Sequence, residues 1–409
     1  MQPPPLQNIP SFLLEFRRAL GFGLLATFLS GFGQTFFVSL FLPSASARLG
    51  LTEGDFGHVY AVATLVSGLL LMRAGRLTDR VGERAMFPAA CLLVVTGLLL
   101  LAWSPWVPVV FVSLFCLRFG GQGVLSLIAS SAMARSFVRR RGVALSVSSL
   151  GFPASEVILP ALTLALLARF GWQATLVWFA VLLLVLLVMP GWFLIRRPLR
   201  GDVPPDPGEG RPRSVRPFIW WREPFFVIVT LAATSTLALS GTALFLYQFP
   251  LGADRGWSAA WVATCFTACA VTRAVLSLAA GPLIDRFTGT RMVPWTLCPA
   301  ALAFGLLWLG TNPWLGLVSY VLIGISYGTG SAIMAMMAEQ YGRGVVGQLR
   351  GSMSAFGVIS TAVGAFFAGY VLNLGFSYTN LLSLLAALSV AACAVCFAAM
   401  RIAPNRHPV

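Results

Sequence analysis

Three ionisable side chains, Arg118, Glu156 and Arg273, stand inside otherwise apolar runs of the sequence. If those runs lie in lipid, each charge costs at least about 2.5 to 3.5 kcal/mol, so each is expected to serve binding, coupling or structure. A guanidinium recognises a carboxylate through a planar fork of donors. Burial and a neighbouring arginine act in opposite senses on the protonation of a carboxyl group, and that competition is the basis of a proton switch. The chemistry on offer is therefore anion binding and proton movement. Enzymatic catalysis is not expected, since no metal-ligand cluster or nucleophile–base pair is visible and His58 and His407 are the only histidines.

Each of the three has its own local setting. Arg118 precedes Gln122 by four residues in LRFGGQG, which on an α-helix puts both on one face. Glu156 lies in GFPASEVILP between Pro153 and Pro160, which free backbone carbonyls and open space around the carboxyl. Counting back from the turn between the two segments brings Arg118 and Glu156 to similar depth, so the two can pair. Arg273 has no acidic partner in its own half of the chain, and a missing anion is implied. Uncharged polar residues along the same kind of run, Gln34, Thr35, Tyr60, Thr242, Tyr247, Gln248 and Tyr327, can either line a cavity or bond to neighbouring helices.

The segments that must position these residues follow from composition. The chain has 409 residues, 58% apolar and 10% charged. Soluble chains carry about 25% charged residues and a single core stops growing at about 250 to 300 residues, so the arithmetic favours a polytopic membrane protein over a water-soluble enzyme. Twelve apolar runs are read at 18–42, 56–74, 85–103, 107–134, 143–168, 173–195, 224–250, 258–281, 292–310, 314–338, 352–373 and 378–400. Each is long enough to cross a bilayer as a helix of about 20 residues. The expected fold is an all-α membrane protein of twelve transmembrane helices in two pseudo-symmetric six-helix bundles. Residues 1–195 form the first bundle, 196–222 a proline- and arginine-rich linker, and 223–409 the second.

The net charge of +15 comes from 28 basic residues, all arginine, against 13 acids. Twenty-three of those arginines fall on one side of the runs and three, Arg48, Arg169 and Arg255, on the other; the remaining two are Arg118 and Arg273. That asymmetry is the positive-inside signature, so the basic side and both termini are expected to be cytoplasmic, and no nucleic-acid partner is expected. The seven cysteines all lie in apolar runs; Cys393 and Cys396, a C-x-x-C pair, read as packing residues. No cofactor or metal is expected.

An internal repeat relates the halves. GRLTDRVGER carries Gly75, Asp79, Arg80, Gly82 and Arg84, and GPLIDRFTGTR carries Gly281, Asp285, Arg286, Gly289 and Arg291. The offset is 206 residues up to a one-residue insertion before Gly289. Pro43 and Pro250 also match, as do Gly121 and Gly123 with Gly328 and Gly330, and Arg141-Gly142 with Arg350-Gly351. Two parallel six-helix repeats describe a common transporter architecture with its site between the halves.

With G-x-L-x-D-R-x-G-x-R after the second run and a degenerate copy after the eighth, the chain resembles the major facilitator superfamily over essentially its whole length. The resemblance implies transport by alternating access, with Gly75, Asp79, Arg80, Arg84, Asp285 and Arg286 acting as gate and conformational switch. LRFGGQG is similar to the arginine, glutamine and glycines that members often carry in the fourth helix. An arginine in the eighth helix is a weaker likeness to the oxalate/formate and monocarboxylate branches, whose arginine lies about four residues before the glycine rather than eight.

The expectation is a monomeric proton-coupled transporter of a small organic anion in the cell inner membrane. Arg118 and Arg273 are its anion clamps, Glu156 its proton carrier, and Gln122, Gln34 and Tyr327 further contacts. A proton-driven exporter of drugs or cations remains the alternative. Against it, the fifth run lacks the G-P-x-x-G-G signature of the antiporters. Gly151, Gly357, Gly364 and Gly369 read as close-packing surfaces.

Overall fold

A computed structural model describes residues 9–104, 106–137, 140–186, 191–195, 199, 201, 219–341 and 346–402. Its regular structure is helical throughout these residues. The first-half spans are α1 (Arg17–Ser39), α2 (Glu53–Val81), α3 (Glu83–Trp103) and α4 (Val107–Ser136), followed by the run Gly142–Leu186. That run is two helices, α5 (142–170) and α6 (172–186), because Gly171 adopts φ 75° and ψ 171° and reverses the chain without a loop. The second-half spans are α7 (Pro224–Asp254), α8 (Ala259–Phe287), α9 (Gly289–Leu309), α10 (Pro313–Tyr341), α11 (Val346–Asn373) and α12 (Tyr378–Ile402). Among the described residues this gives twelve membrane-crossing helices in two six-helix bundles. The expected linker falls almost wholly outside them.

The surface is apolar where lipid belongs. Leu69, Leu278 and Val390 are each more than half exposed mid-helix, while Trp103, Trp106 and Trp314 are exposed at helix ends, the level at which aromatic belts form. Three helix pairs connect the bundles: α2 packs on α11, α5 on α8, and the end of α1 on α7. At the α2–α11 crossing, Gly54 and Gly369 bring the backbones so close that a side chain on either would strike the other helix. Gly151 is pressed in the same way against α1, and Gly364 against Leu239 of α7. Gly357 is not a packing glycine, because a Cβ there would meet open space.

The repeat motif is helix rather than loop. α2 runs through Gly75, Asp79 and Arg80 and ends at Val81, and α8 runs through Asp285 and Arg286 to Phe287. The turns that follow are at Gly82 (φ 78°, ψ 169°) and Thr288 (φ 67°, ψ 150°), 206 residues apart. The expected insertion before Gly289 is therefore absent. Thr288, not Gly289, stands in the place of Gly82, in a backbone region that is essentially reserved for glycine.

Candidate functional site

The site is built where helices are interrupted. α1 loses its regular winding at Ser30–Gly33, and Gln34 is extended (φ −80°, ψ 156°) before helix resumes at Thr35. Beside it, α4 widens into a π-helical stretch, Leu117–Leu125. Gly33 and Gly121 face each other across this crossing, and a Cβ on either would meet the opposite backbone. A broken transmembrane helix must have its freed backbone groups satisfied. Arg118 does this: its Nη1 donates to Gly33 O at 3.1 Å and its Nε to Thr64 Oγ1 at 3.1 Å, with the guanidinium 5.0 Å from the Tyr60 ring centre.

Arg118 is 2% exposed and is not among the residues lining the cavity between the halves; its donors meet Thr64 and Gly33 within the first bundle rather than the anion of the expected clamp. The expected sharing of a face with Gln122 also fails, since Gln122 lines the cavity and Arg118 points back into α1 and α2. The π-helical stretch alters the rotation per residue on which the four-residue spacing relied. Tyr60 is likewise withdrawn, fully buried and bonded to Thr35 at 2.8 Å.

The cavity between the halves has a volume of about 190 Å³. From the first bundle come Gln34, Phe36, Gln122 and Glu156; from the second come Thr242, Phe245, Phe266, Cys269, Arg273 and Tyr327. Across it Arg273 Nη2 donates to Glu156 Oε1 at 2.7 Å, with the two side chains 29% and 11% exposed. This bridge corrects two expectations. Glu156 pairs with Arg273 rather than with Arg118, and the anion missing beside Arg273 is supplied by the opposite half. Tyr327 Oη donates to Leu237 O at 2.8 Å, and its hydroxyl fills the space a side chain at Gly241 would need.

Access to the bridge differs between its two sides. Toward the arginine-poor ends, the halves are tied together. Thr52 Oγ1 donates to Asn373 Oδ1 at 2.8 Å, Asn373 Nδ2 to Asp55 Oδ1 at 2.8 Å, and Tyr378 Oη to the Glu53 carboxylate. Deeper, Gln248 Nε2 donates to Ser39 Oγ at 3.1 Å, and Gln248 Oε1 accepts from Tyr320 Oη at 3.3 Å. Toward the arginine-rich ends, a second cavity of about 220 Å³ separates α5 from α8, with Ser146, Ser149 and Ser277 on its walls and Arg273 at its head. Arg273 thus borders both cavities.

Of the expected gate residues, the side chains of Gly75, Asp79, Arg80 and Asp285 lie outside those described. Arg84 is exposed beside a cavity at the start of α3, and Arg286 lies 5.2 Å from the Phe287 ring centre. Two contacts at these helix ends were not foreseen. Arg135 at the end of α4 bridges Glu83 at the start of α3 at 2.6 Å. In the second half Glu339 of α10 caps α9, accepting from Gly289 N at 2.7 Å and Thr290 N at 3.0 Å. Glu83 stands beside the repeated turn in the sequence, whereas Glu339 lies 50 residues from the helix start that it caps.

The Major Facilitator Superfamily profile matches residues 23–331 and, overlapping with these, residues 232–409. The chain belongs to the Major Facilitator Superfamily. It is a multi-pass membrane transporter, with small-molecule substrates handled within the membrane. No curated protein sequence matches it significantly. Among solved structures it resembles a bacterial homologue of the human lysosomal transporter Spinster in an inward-facing, unoccupied conformation. The TM-score there is 0.72 at 14% identity, over 94% of this chain and 96% of that one. The occupied form of the same homologue gives 0.73 at 15% identity, over 94% and 97%. The nucleoside transporter NupG gives 0.73 at 11% identity, over 95% and 99%. At these identities the likeness is one of fold.

Proposed function

We propose that this superfamily member is a proton-coupled carrier of a small organic anion, with Arg273 as the anion site and Glu156 as the proton site. The observation that carries this reading is the 2.7 Å bridge between them across the two bundles. While Glu156 is charged it occupies Arg273 and ties α5 to α8. A proton on Glu156 removes the attraction, and the freed guanidinium takes a carboxylate in its place. When the proton leaves, Glu156 reclaims Arg273 and expels the anion. One proton and one monovalent anion then move together without net charge.

By the same reading the arginine-rich ends face the cytoplasm, because 23 of the 28 arginines lie there, and the bilayer is the cell inner membrane. The cavity between α5 and α8 is then the cytoplasmic approach, and the bonds around Asn373 close the outer side. Asp79, Arg80, Asp285 and Arg286 are proposed as the cytoplasmic switch, and residues 196–222 as the link between bundles.

The test is uptake of radiolabelled formate, lactate, oxalate and benzoate into proteoliposomes, with and without an inward proton gradient. The reading expects gradient-driven accumulation of at least one anion, lost in Arg273→Gln. Extrusion of an organic cation in exchange for protons, with no anion moved, would make the protein an exporter.

A further inference from the structure

The walls of the central cavity are chemically divided, and the division bears on which anion it carries. This inference rests on the anion reading above. The charged pole is Arg273 with Glu156. Gln34, set out by the break in α1, and Gln122, in the π-helical stretch of α4, both border the same space. Neither side-chain amide has a hydrogen-bond partner among the described residues. Both residues are half-buried, and a primary amide presents two donors and an acceptor oxygen that a ligand or water in the cavity can meet.

The remaining wall is aromatic. Phe36 from the first bundle and Phe266 from the second lie with ring centres 5.1 Å apart, and Phe245 stands edge-on to Phe266 at 5.2 Å and 85°. Phe245 in turn lies 6.2 Å from Tyr327. These distances are those at which aromatic rings attract one another, and a further flat ring can join the cluster with the same geometry. The volume of about 190 Å³ is below the roughly 300 Å³ at which pockets begin to accept drug-sized ligands, so the fit is to a single ring.

We propose that the transported anion is a monocyclic aromatic carboxylate whose ring carries a hydrogen-bonding group, that is, a hydroxy- or aza-aromatic acid. Its carboxylate binds Arg273, its ring packs against Phe245 and Phe266, and its ring hydroxyl or nitrogen is read by Gln34 and Gln122. A short aliphatic acid leaves the aromatic wall unused. An unsubstituted aromatic acid leaves the two amides unpaired.

The experiment is a thermal-shift and competition series on the full-length protein in nanodiscs. The probes are 4-hydroxybenzoate, nicotinate, benzoate, cyclohexanecarboxylate, lactate and propionate, at an acidic and a neutral pH. 4-Hydroxybenzoate or nicotinate is expected to bind at least tenfold tighter than cyclohexanecarboxylate and tighter than benzoate. Gln122→Leu removes the advantage over benzoate, and Phe266→Leu narrows that over cyclohexanecarboxylate. The wild-type ranking alone decides the matter if either variant fails to fold. Lactate or propionate binding as tightly as the aromatic acids, with binding lost in Arg273→Gln, overturns the aromatic assignment and leaves the anion reading standing. Binding of no carboxylate at either pH overturns both.

Discussion

Arg273 on α8 and Glu156 on α5 form a 2.7 Å ion pair in which each bundle supplies one charge. Because the partners sit on different bundles, rocking of one half against the other stretches or breaks the bridge. Whatever changes the charge of either group is therefore linked to the conformation of the whole protein.

Removing one partner should harm stability more than removing both. Breaking a buried pair costs up to about 3–5 kcal/mol because a charge is left without compensation, and the partial exposure of Arg273 lowers that figure here. Arg273→Gln and Glu156→Gln are each expected to lower the melting temperature, and the double variant Glu156→Gln/Arg273→Gln to recover most of the loss. Thermal unfolding of the four proteins in detergent checks this. Transport should not return in the double variant.

Arg118 is expected to behave as a structural residue. Its hydrogen bonds to Gly33 O and Thr64 hold the break in α1. Arg118→Gln should cost about 2 kcal/mol or more of stability, the scale of hydrogen bonds to a charged group. The protein that does fold should keep its ligand-induced thermal shift. A normal melting temperature with loss of anion binding would return Arg118 to the anion site.

Thr288 carries backbone strain. It holds φ 67° and ψ 150° at the turn where its counterpart in the first half is a glycine. A residue held in such a region costs about 1–3 kcal/mol. Thr288→Gly should raise the melting temperature, and Gly82→Thr should lower it, as read by the same unfolding assay.

The outer closure should be tunable. From the end of α11, Asn373 bonds Thr52, which caps α2, and Asp55 in the first turn of α2. Two such bonds contribute about 1–2 kcal/mol, a factor of about 5–30 in the open population. Cys269 lines the central cavity. In a background lacking the other six cysteines, Asn373→Ala should speed labelling of Cys269 by an impermeant maleimide added from the outer side by about that factor. An unchanged rate would remove the latch.

The helices, their number and their pairing into halves were legible because a bilayer demands long apolar runs and a duplicated chain keeps its offset. Glu156 and Arg273 were legible for a related reason, since a charge within such a run stands out. Their pairing was not. Arg118 and Glu156 were matched by depth along their helices, but depth says nothing of rotation, and the π-helical stretch turns Arg118 toward α1. The partner of Arg273 lies 117 residues away in the other half, a proximity that only the docking of the bundles creates. Gly289 was paired with Gly82 by residue type, although the backbone turns one residue earlier at Thr288. Glutamines at interruptions of α1 and α4 were visible as polar residues, but the interruptions that expose them were not.

The central claim is that Glu156 carries the proton that frees Arg273 for an anion. The most direct measurement compares two modes of anion transport in wild-type and Glu156→Gln proteoliposomes: accumulation driven by an inward proton gradient, and exchange at equal pH. The account predicts that Glu156→Gln abolishes gradient-driven accumulation and retains exchange, since a neutral side chain leaves Arg273 permanently available. Accumulation that still follows the proton gradient in Glu156→Gln would contradict it.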